Sequence, residues 1–269
     1  MSAQSERAKD FVSLHRAKEG FILPNPWDAG SARIMAHHGF KALATSSAAF
    51  ANGLGRADYQ ITRDEAMQHC RDIAAATDLP VSADLEKCFA DKPEGVAETI
   101  LLASETGIVG CSVEDASGDA REPIYPFELA VERVRVAVKA AERVGFPFTI
   151  TARAEGLLHG GKDMDEIIRR LQAFAKAGAP VVYAPGVTSL DQARQIADAV
   201  HVPINVMALK MLDAPSLFAA GIKRVSLGPW FARAAMQGLL EAIAEVKATG
   251  TFRFIDKVPS GASIAKMLG

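Results

Sequence analysis

The chain has 269 residues, 49% of them hydrophobic and 23% charged, with a formal net charge of −2. That length suits one (β/α)8 domain of about 250 residues or two smaller domains, and the composition excludes a disordered chain. A balance so close to neutral leaves no electrostatic footprint for nucleic acid or an anionic membrane.

Three scattered cysteines, Cys70, Cys88 and Cys111, argue against a disulfide framework or a zinc cluster. The first twenty residues are polar and lack the apolar centre of a signal peptide. No apolar run reaches the roughly 18 residues that span a bilayer. A cytoplasmic globular protein is the expectation.

In chain order, residues 5–19 read as a helix with Phe11, Leu14 and His15 on one face, stopped by Gly20. A first strand follows at 21–23, then a helix over 31–38 closed by Gly39. Residues 41–45 form a second strand that runs into a small-residue turn, Ser46-Ser47-Ala48-Ala49, and a glycine-bearing loop, 52–58. Thr62, with Glu65 three residues on, caps a helix to Ala76. The third strand, 80–84, precedes a helix over 93–105 with proline in its first turn. A fourth strand, 109–113, leads into an irregular loop, 116–126, and a long helix to Val144. Strand 147–152, the loop 156–162 and a helix over 165–177 come next. Strand 181–183, helix 190–200, strand 203–207, a short helix over 216–220, strand 223–227 and helix 231–249 complete the series. Eight alternations predict parallel strands closed into a (β/α)8 TIM barrel, with a doubly wound open sheet as the competing fold. The chain reads as a single domain, 1–269, with 251–269 as a C-terminal appendage.

Every parallel strand of such a barrel ends at the same mouth. That geometry gathers Asp28, Ser46, Asp58, Asp84, Glu86, Glu114, Arg153 and Asn205 from distant parts of the sequence. Asp84 and Glu86 lie two apart on an extended run and so face the same way, where they require a cation between them or a proton on one of them. Oxygen donors without His or Cys suit Mg²⁺ or Mn²⁺. Arg153 offers a planar fork to a substrate carboxylate or an enolate oxygen. Ser46 and the amides after it suit an oxyanion. Each group also has a plainer use: a solvated strand exit for Asp84 and Glu86, a loop start for Glu114, an ion pair with Glu155 or Glu114 for Arg153, a turn or helix cap for Ser46 and Ser47.

These residues resemble the isocitrate lyase/phosphoenolpyruvate mutase superfamily. The resemblance is carried by Asn25-Pro26-Trp27-Asp28-Ala29, Ala44-Thr45-Ser46-Ser47-Ala48, Pro80-Val81-Ser82-Ala83-Asp84-Leu85-Glu86, Gly110-Cys111-Ser112-Val113-Glu114-Asp115, Thr151-Ala152-Arg153-Ala154-Glu155 and Pro203-Ile204-Asn205-Val206-Met207. It implies a Mg²⁺-dependent enzyme that makes or breaks C–C or P–C bonds beside a carboxylate through an enolate. It also implies an eighth barrel helix exchanged between subunits of a homodimer or homotetramer. By position, Asp84 resembles the direct metal ligand, and Asp58, Glu86 and Glu114 the acids that hold the metal through water. Arg153 and Glu114 resemble catalytic groups. Trp27, Asp28, Ser46, Ser47, Ala48, Arg153 and Asn205 fall at substrate-binding positions.

The chain departs from the family in the loop after the fourth strand. Isocitrate and methylisocitrate lyases carry a Cys and a His there, and the mutases and phosphonopyruvate hydrolases a Lys and an Asn. Here the loop runs from Ala116 to Tyr125, with Arg121 its sole cation. The expectation is therefore C–C cleavage of a small 2-oxo- or 2-hydroxy-carboxylate whose acid or base is unassigned among Tyr125, Glu122, Arg121, His159 and a metal-bound water. The alternatives are P–C chemistry on phosphoenolpyruvate or phosphonopyruvate, and a non-catalytic 2-oxo acid-binding barrel.

Overall fold

The structure, a computed structural model, describes residues 2–269. Eight short parallel strands form one sheet: β1 (Phe21–Leu23), β2 (Leu43–Ala44), β3 (Val81–Asp84), β4 (Gly110–Glu114), β5 (Thr149–Arg153), β6 (Val181–Tyr183), β7 (Ile204–Met207) and β8 (Arg224–Ser226). Their order, β1-β8-β7-β6-β5-β4-β3-β2, is that of a TIM barrel opened at one seam. The seam between β1 and β2 is drawn together by one main-chain bond, from Ala44 N–H to Pro24 O at 3.0 Å. Asn25 reinforces it: Nδ2 donates to Thr45 O at 2.9 Å, while Oδ1 accepts from Leu227 and Gly228 N–H at 2.9 and 2.8 Å. A single amide side chain thus ties β1 to the ends of both its neighbours.

The helices are α1 (Ala3–Arg16), α2 (Ala29–His37), α3 (Ser47–Gly53), α4 (Arg63–Ala75), α5 (Pro93–Ser104), α6 (Phe127–Glu142), α7 (Met164–Lys176), α8 (Leu190–Ala199), α9 (Ala214–Ala219), α10 (Trp230–Thr249) and α11 (Gly261–Leu268). The capping box expected at α4 is present, with Thr62 and Glu65 exchanging bonds. Two expectations are corrected. The stretch read as a turn, 46–49, starts helix α3, because Ser46 Oγ accepts from Ala49 N–H and satisfies its first turn. Helix α1 ends at Arg16 rather than against Gly20. That glycine passes Phe218, where a Cβ would lie 2.2 Å from the ring.

Helix α1 closes the N-terminal end of the barrel, with Ala8 and Phe11 packed on Phe21, Leu23 and Val109. Two larger apolar clusters lie between the strands and the surrounding helices, one on β2–β5 and one on β5–β8. Where β4 meets β5 the backbones approach so closely that a Cβ on Gly110 would stand 2.4 Å from Thr149 O. Beyond β8 the packing changes. Of α10 only Ala232 is buried, whereas Leu239, Leu240, Ile243, Phe252, Ile255 and Val258 are exposed. Residues 251–269 return as a 3-10 turn (Arg253–Lys257) and as α11, which packs on α2. Among the described residues no helix is long and apolar enough to cross a membrane.

Candidate active site

The C-terminal ends of the strands enclose a cavity of about 240 Å³, lined by residues of all eight strand exits. Strand register brings its charged groups together: Glu114 lies opposite Arg153, and Asp84 opposite Ser112. Arg153 is the centre. Its Nη1 donates to Asp84 Oδ1 at 2.7 Å, its Nη2 lies 3.1 Å from Glu114 Oε2, and its Nε donates to Glu155 Oε1 at 2.6 Å. The arginine side chain is 13% exposed and those of Glu114 and Glu155 only 1% and 2%. Burial works against the Arg153 charge, yet Glu155, Glu114 and Asp84 outweigh it and hold the guanidinium protonated well above its ordinary range. The two pairings weighed from sequence, with Glu155 and with Glu114, are both made.

Asp84 is crowded with donors. Ser47 N–H and Oγ reach its Oδ2 at 3.2 and 3.1 Å, and Ser112 Oγ reaches Oδ1 at 3.2 Å. Ser47 Oγ also lies 3.1 Å from Asp58 Oδ1, so a single hydroxyl links the first two acids. Glu86 lies past the end of β3 on a backbone bend in the left-handed region, φ 51°, and, unlike Asp58, Asp84 and Glu114, is not among the residues that line the cavity. Its Oε1 is buried with no hydrogen-bond partner. Burial first, then Asp84 and Asp58, push its carboxyl up to about 8. Burial likewise pushes Glu114 far above the carboxylate range despite Arg153.

These four acids fit a hard divalent cation. Among the described residues no three His, Cys, Asp or Glu side chains form a ready-made ligand cluster. Mg²⁺ does not need one, since it keeps several waters and takes one or two carboxylates directly. Of the four, Asp84 takes donors from Arg153, Ser47 and Ser112, and Glu86 keeps a buried oxygen without a partner.

Several expected roles are revised. Asp28 is exposed and caps α2, accepting from Ser31 N–H at 2.6 Å, and Trp27 packs on the core beside it; neither lines the cavity. Ser46, Ser47 and Ala48 do line it, but Ser46 Oγ caps α3 and Ser47 is engaged with Asp84 and Asp58. Asn205 reaches the cavity, yet its amide is bonded at both ends, to Arg224 and to Ser226. Arg121 pairs with Asp119 in the outer loop with its side chain 88% exposed, and Tyr125 turns outward to Asp91. Glu122 and His159 are exposed. Cys88 is fully buried, and burial raises its thiol to about 12, which suits a core residue rather than a base.

Three groups escaped the sequence reading. Tyr59 lines the cavity and donates to Glu114 Oε1 at 2.5 Å from a backbone held at φ 62°. Its position directly after Asp58 was the only signal. Asp115 accepts from Glu155 N–H at 2.8 Å and from Arg170 Nη1 at 3.0 Å, and so fixes the arm that carries Glu155. Arg133 donates to Lys87, Ala90 and Asp91 carbonyls, pinning the strained 86–91 loop behind Glu86.

Comparison with known proteins agrees with this fold. The family model described as phosphoenolpyruvate phosphomutase matches residues 11–247. A Burkholderia cenocepacia J2315 structure, named only as a lyase/mutase, is 48% identical over 98% of this chain and 96% of its own, with a TM-score of 0.96. The Corynebacterium glutamicum protein called Probable 2-methylisocitrate lyase 2 is 28% identical over 92% of this chain and 83% of its own length. A phosphonopyruvate hydrolase in complex with oxalate and Mg²⁺ shares the fold at 20% identity, with a TM-score of 0.87 over 97% of this chain and 94% of that one. The chain belongs to the phosphoenolpyruvate phosphomutase family.

Proposed function

We propose that this chain is a Mg²⁺-dependent lyase or hydrolase that cleaves a C–C bond of a small 2-oxo- or 2-hydroxy-carboxylate through an enolate. The observation that carries the proposal is Arg153 in the cavity wall, held by three carboxylates, with Glu86 buried nearby and one of its oxygens without a partner. In the lyase direction the substrate hydroxyl loses its proton and becomes a carbonyl as the C–C bond breaks. The bond's electron pair passes into the enolate, which is then protonated at carbon.

Mg²⁺, held by Asp84 and through water by Asp58, Glu86 and Glu114, would supply positive charge where the enolate oxygen develops. Arg153 provides fixed N–H donors on the same side, and its fork cannot swing away because three acids hold it. Tyr59 and Glu114 hold a proton between them at the cavity wall and are positioned to pass it to or from the substrate. P–C chemistry is the weaker reading, because the sole cation of the 116–126 loop, Arg121, is engaged with Asp119.

The test is a substrate panel with Mg²⁺ and with chelator, containing oxaloacetate, methylisocitrate and phosphonopyruvate. Metal-dependent pyruvate or oxalate release from a C–C substrate supports the proposal. Release of phosphate from phosphonopyruvate alone would replace it with the P–C reading, and ligand-induced stabilisation without any product would replace it with a binding-only barrel.

The assembly belongs to the same proposal. The exposed apolar face of α10 suits exchange with a second copy, giving a homodimer or homotetramer. Light scattering that returns a monomer at micromolar concentration would remove that part.

A further inference from the structure

The floor of the cavity holds a charge that the proposed chemistry does not use. Arg224 opens β8 and is 4% exposed, yet it lines the cavity. Its Nε donates to Asn205 Oδ1 at 2.9 Å, its Nη2 to Thr151 Oγ1 at 3.1 Å, and its Nη1 lies 3.1 Å from His15 Nε2. A guanidinium only donates, so His15 accepts at Nε2 and carries its own proton on Nδ1, which faces Phe11 O at 2.8 Å. All three acceptors are therefore neutral. Among the described residues no carboxylate pairs with Arg224, in contrast to Arg153 a short way up the same cavity.

A buried charge without a counter-ion is costly, and a purely structural strut across the barrel could be built from uncharged groups. Three of the five N–H donors of Arg224 are engaged, which leaves two without a partner in these bonds, on a residue that lines the cavity. Burial lowers its pKa to about 10, with only Tyr183 opposing, so the side chain stays cationic at neutral pH.

Resting on the proposed reading of this site, we propose that Arg224 is the anchor for a second carboxylate, so that the preferred substrate is a small dicarboxylate. One end faces the acids and Arg153, and the far carboxylate descends to Arg224. Asn205, assigned from sequence to the substrate, acts instead as a positioning residue: its Oδ1 holds Nε and its Nδ2 is fixed by Ser226 Oγ at 2.9 Å. The guanidinium fork suits a carboxylate, which accepts parallel N–H bonds.

The experiment compares 2-oxoglutarate with 2-oxopentanoate by calorimetry in the presence of Mg²⁺, a pair that differs by a distal carboxylate against a methyl. Wild type is expected to favour 2-oxoglutarate by about 30-fold, within the range of one charge-assisted contact. Arg224→Gln should bind the two alike. Asn205→Asp keeps the local shape while setting a carboxylate against Nε, and it should erase the preference with the barrel folded. Equal binding of the pair by wild type, or a preference retained in either folded variant, overturns the proposal. Because no turnover is read, the anchor and the lyase proposal fail separately. A dicarboxylate preference without product removes only the chemistry, and pyruvate release without the preference removes only the anchor.

Discussion

Arg153 and Asp84, 69 positions apart in the chain, meet at 2.7 Å inside the barrel mouth, and the same arginine holds two further carboxylates. Arg153→Ala would strand two buried acids, Glu114 and Glu155, without their counter-ion, at a cost of about 3 kcal/mol. Arg153→Lys is the cleaner variant, since it keeps the charge and loses the fork. Turnover in Arg153→Lys should fall at least about 100-fold while melting stays within a few degrees of wild type. Steady-state kinetics with parallel thermal melts check both halves, and unchanged kinetics would remove Arg153 from the chemistry.

Asp84 is the carboxylate to which Arg153, Ser47 and Ser112 all donate. Asp84→Ala should abolish Mg²⁺ binding measured by calorimetry. Retained affinity in a folded variant would sink the metal assignment.

Metal binding should also displace a proton. Glu86, raised to about 8, is mostly protonated in the metal-free protein at pH 7, and a bound cation favours its carboxylate. Mg²⁺ affinity should therefore climb from pH 6 to pH 8 and level off above. Calorimetric heats at pH 7 in two buffers of different ionisation enthalpy should differ by about one proton's worth, and identical heats would contradict the assignment.

Tyr59→Phe removes the donor to Glu114 Oε1 and leaves a buried carboxylate oxygen exposed to the cavity. If the pair moves a proton, turnover should drop about 100-fold while Mg²⁺ affinity stays within a few-fold. Wild-type turnover in Tyr59→Phe would show that the phenol is only packing.

Two buried histidines set the acid limit of the fold. Burial lowers His15 to about 3 and His69 to about 4, against an ordinary value of 6.5. The unfolded chain binds these protons first, so the stability they hold is complete above pH 6.5 and is lost as pH falls toward the folded values. By pH 5 the loss should reach about 2 kcal/mol for each histidine. Because the raised carboxylates Glu86 and Glu114 gain stability over the same window, imidazole NMR titrations of the folded protein measure the histidines separately, and rings that titrate near 6.5 would show that they are solvated.

Much of this architecture was legible in the chain. Apolar runs of strand length broken by helical stretches announced the barrel, and the charges that end β3, β4 and β5 announced its mouth. The rest depends on contacts between distant segments. Ser46 reads equally as turn or cap until Ala49 N–H is seen to point at it. Asp28 looked like a substrate-binding group, although a carboxylate three residues before Ser31 is also an N-cap. Only the neighbouring Asp58 marks Tyr59 and nothing local marks Arg224, because the partners that define them, Glu114 for one and His15, Thr151 and Asn205 for the other, come from other strands and helices.

The seam at β1 and β2 has a dynamic consequence. Where neighbouring strands elsewhere are laced by a ladder, this edge relies on the Ala44 amide and the Asn25 side chain. Fluctuations of the barrel should concentrate there, and the Ala44 N–H should exchange with deuterium earlier than the amides of β4 or β5. Thr45 lies on that edge and grips the Asp84 N–H through its hydroxyl at 2.9 Å. The metal-side carboxylate is therefore coupled to the most yielding join in the molecule, and a ligand that clamps Asp84 should slow breathing along the whole edge.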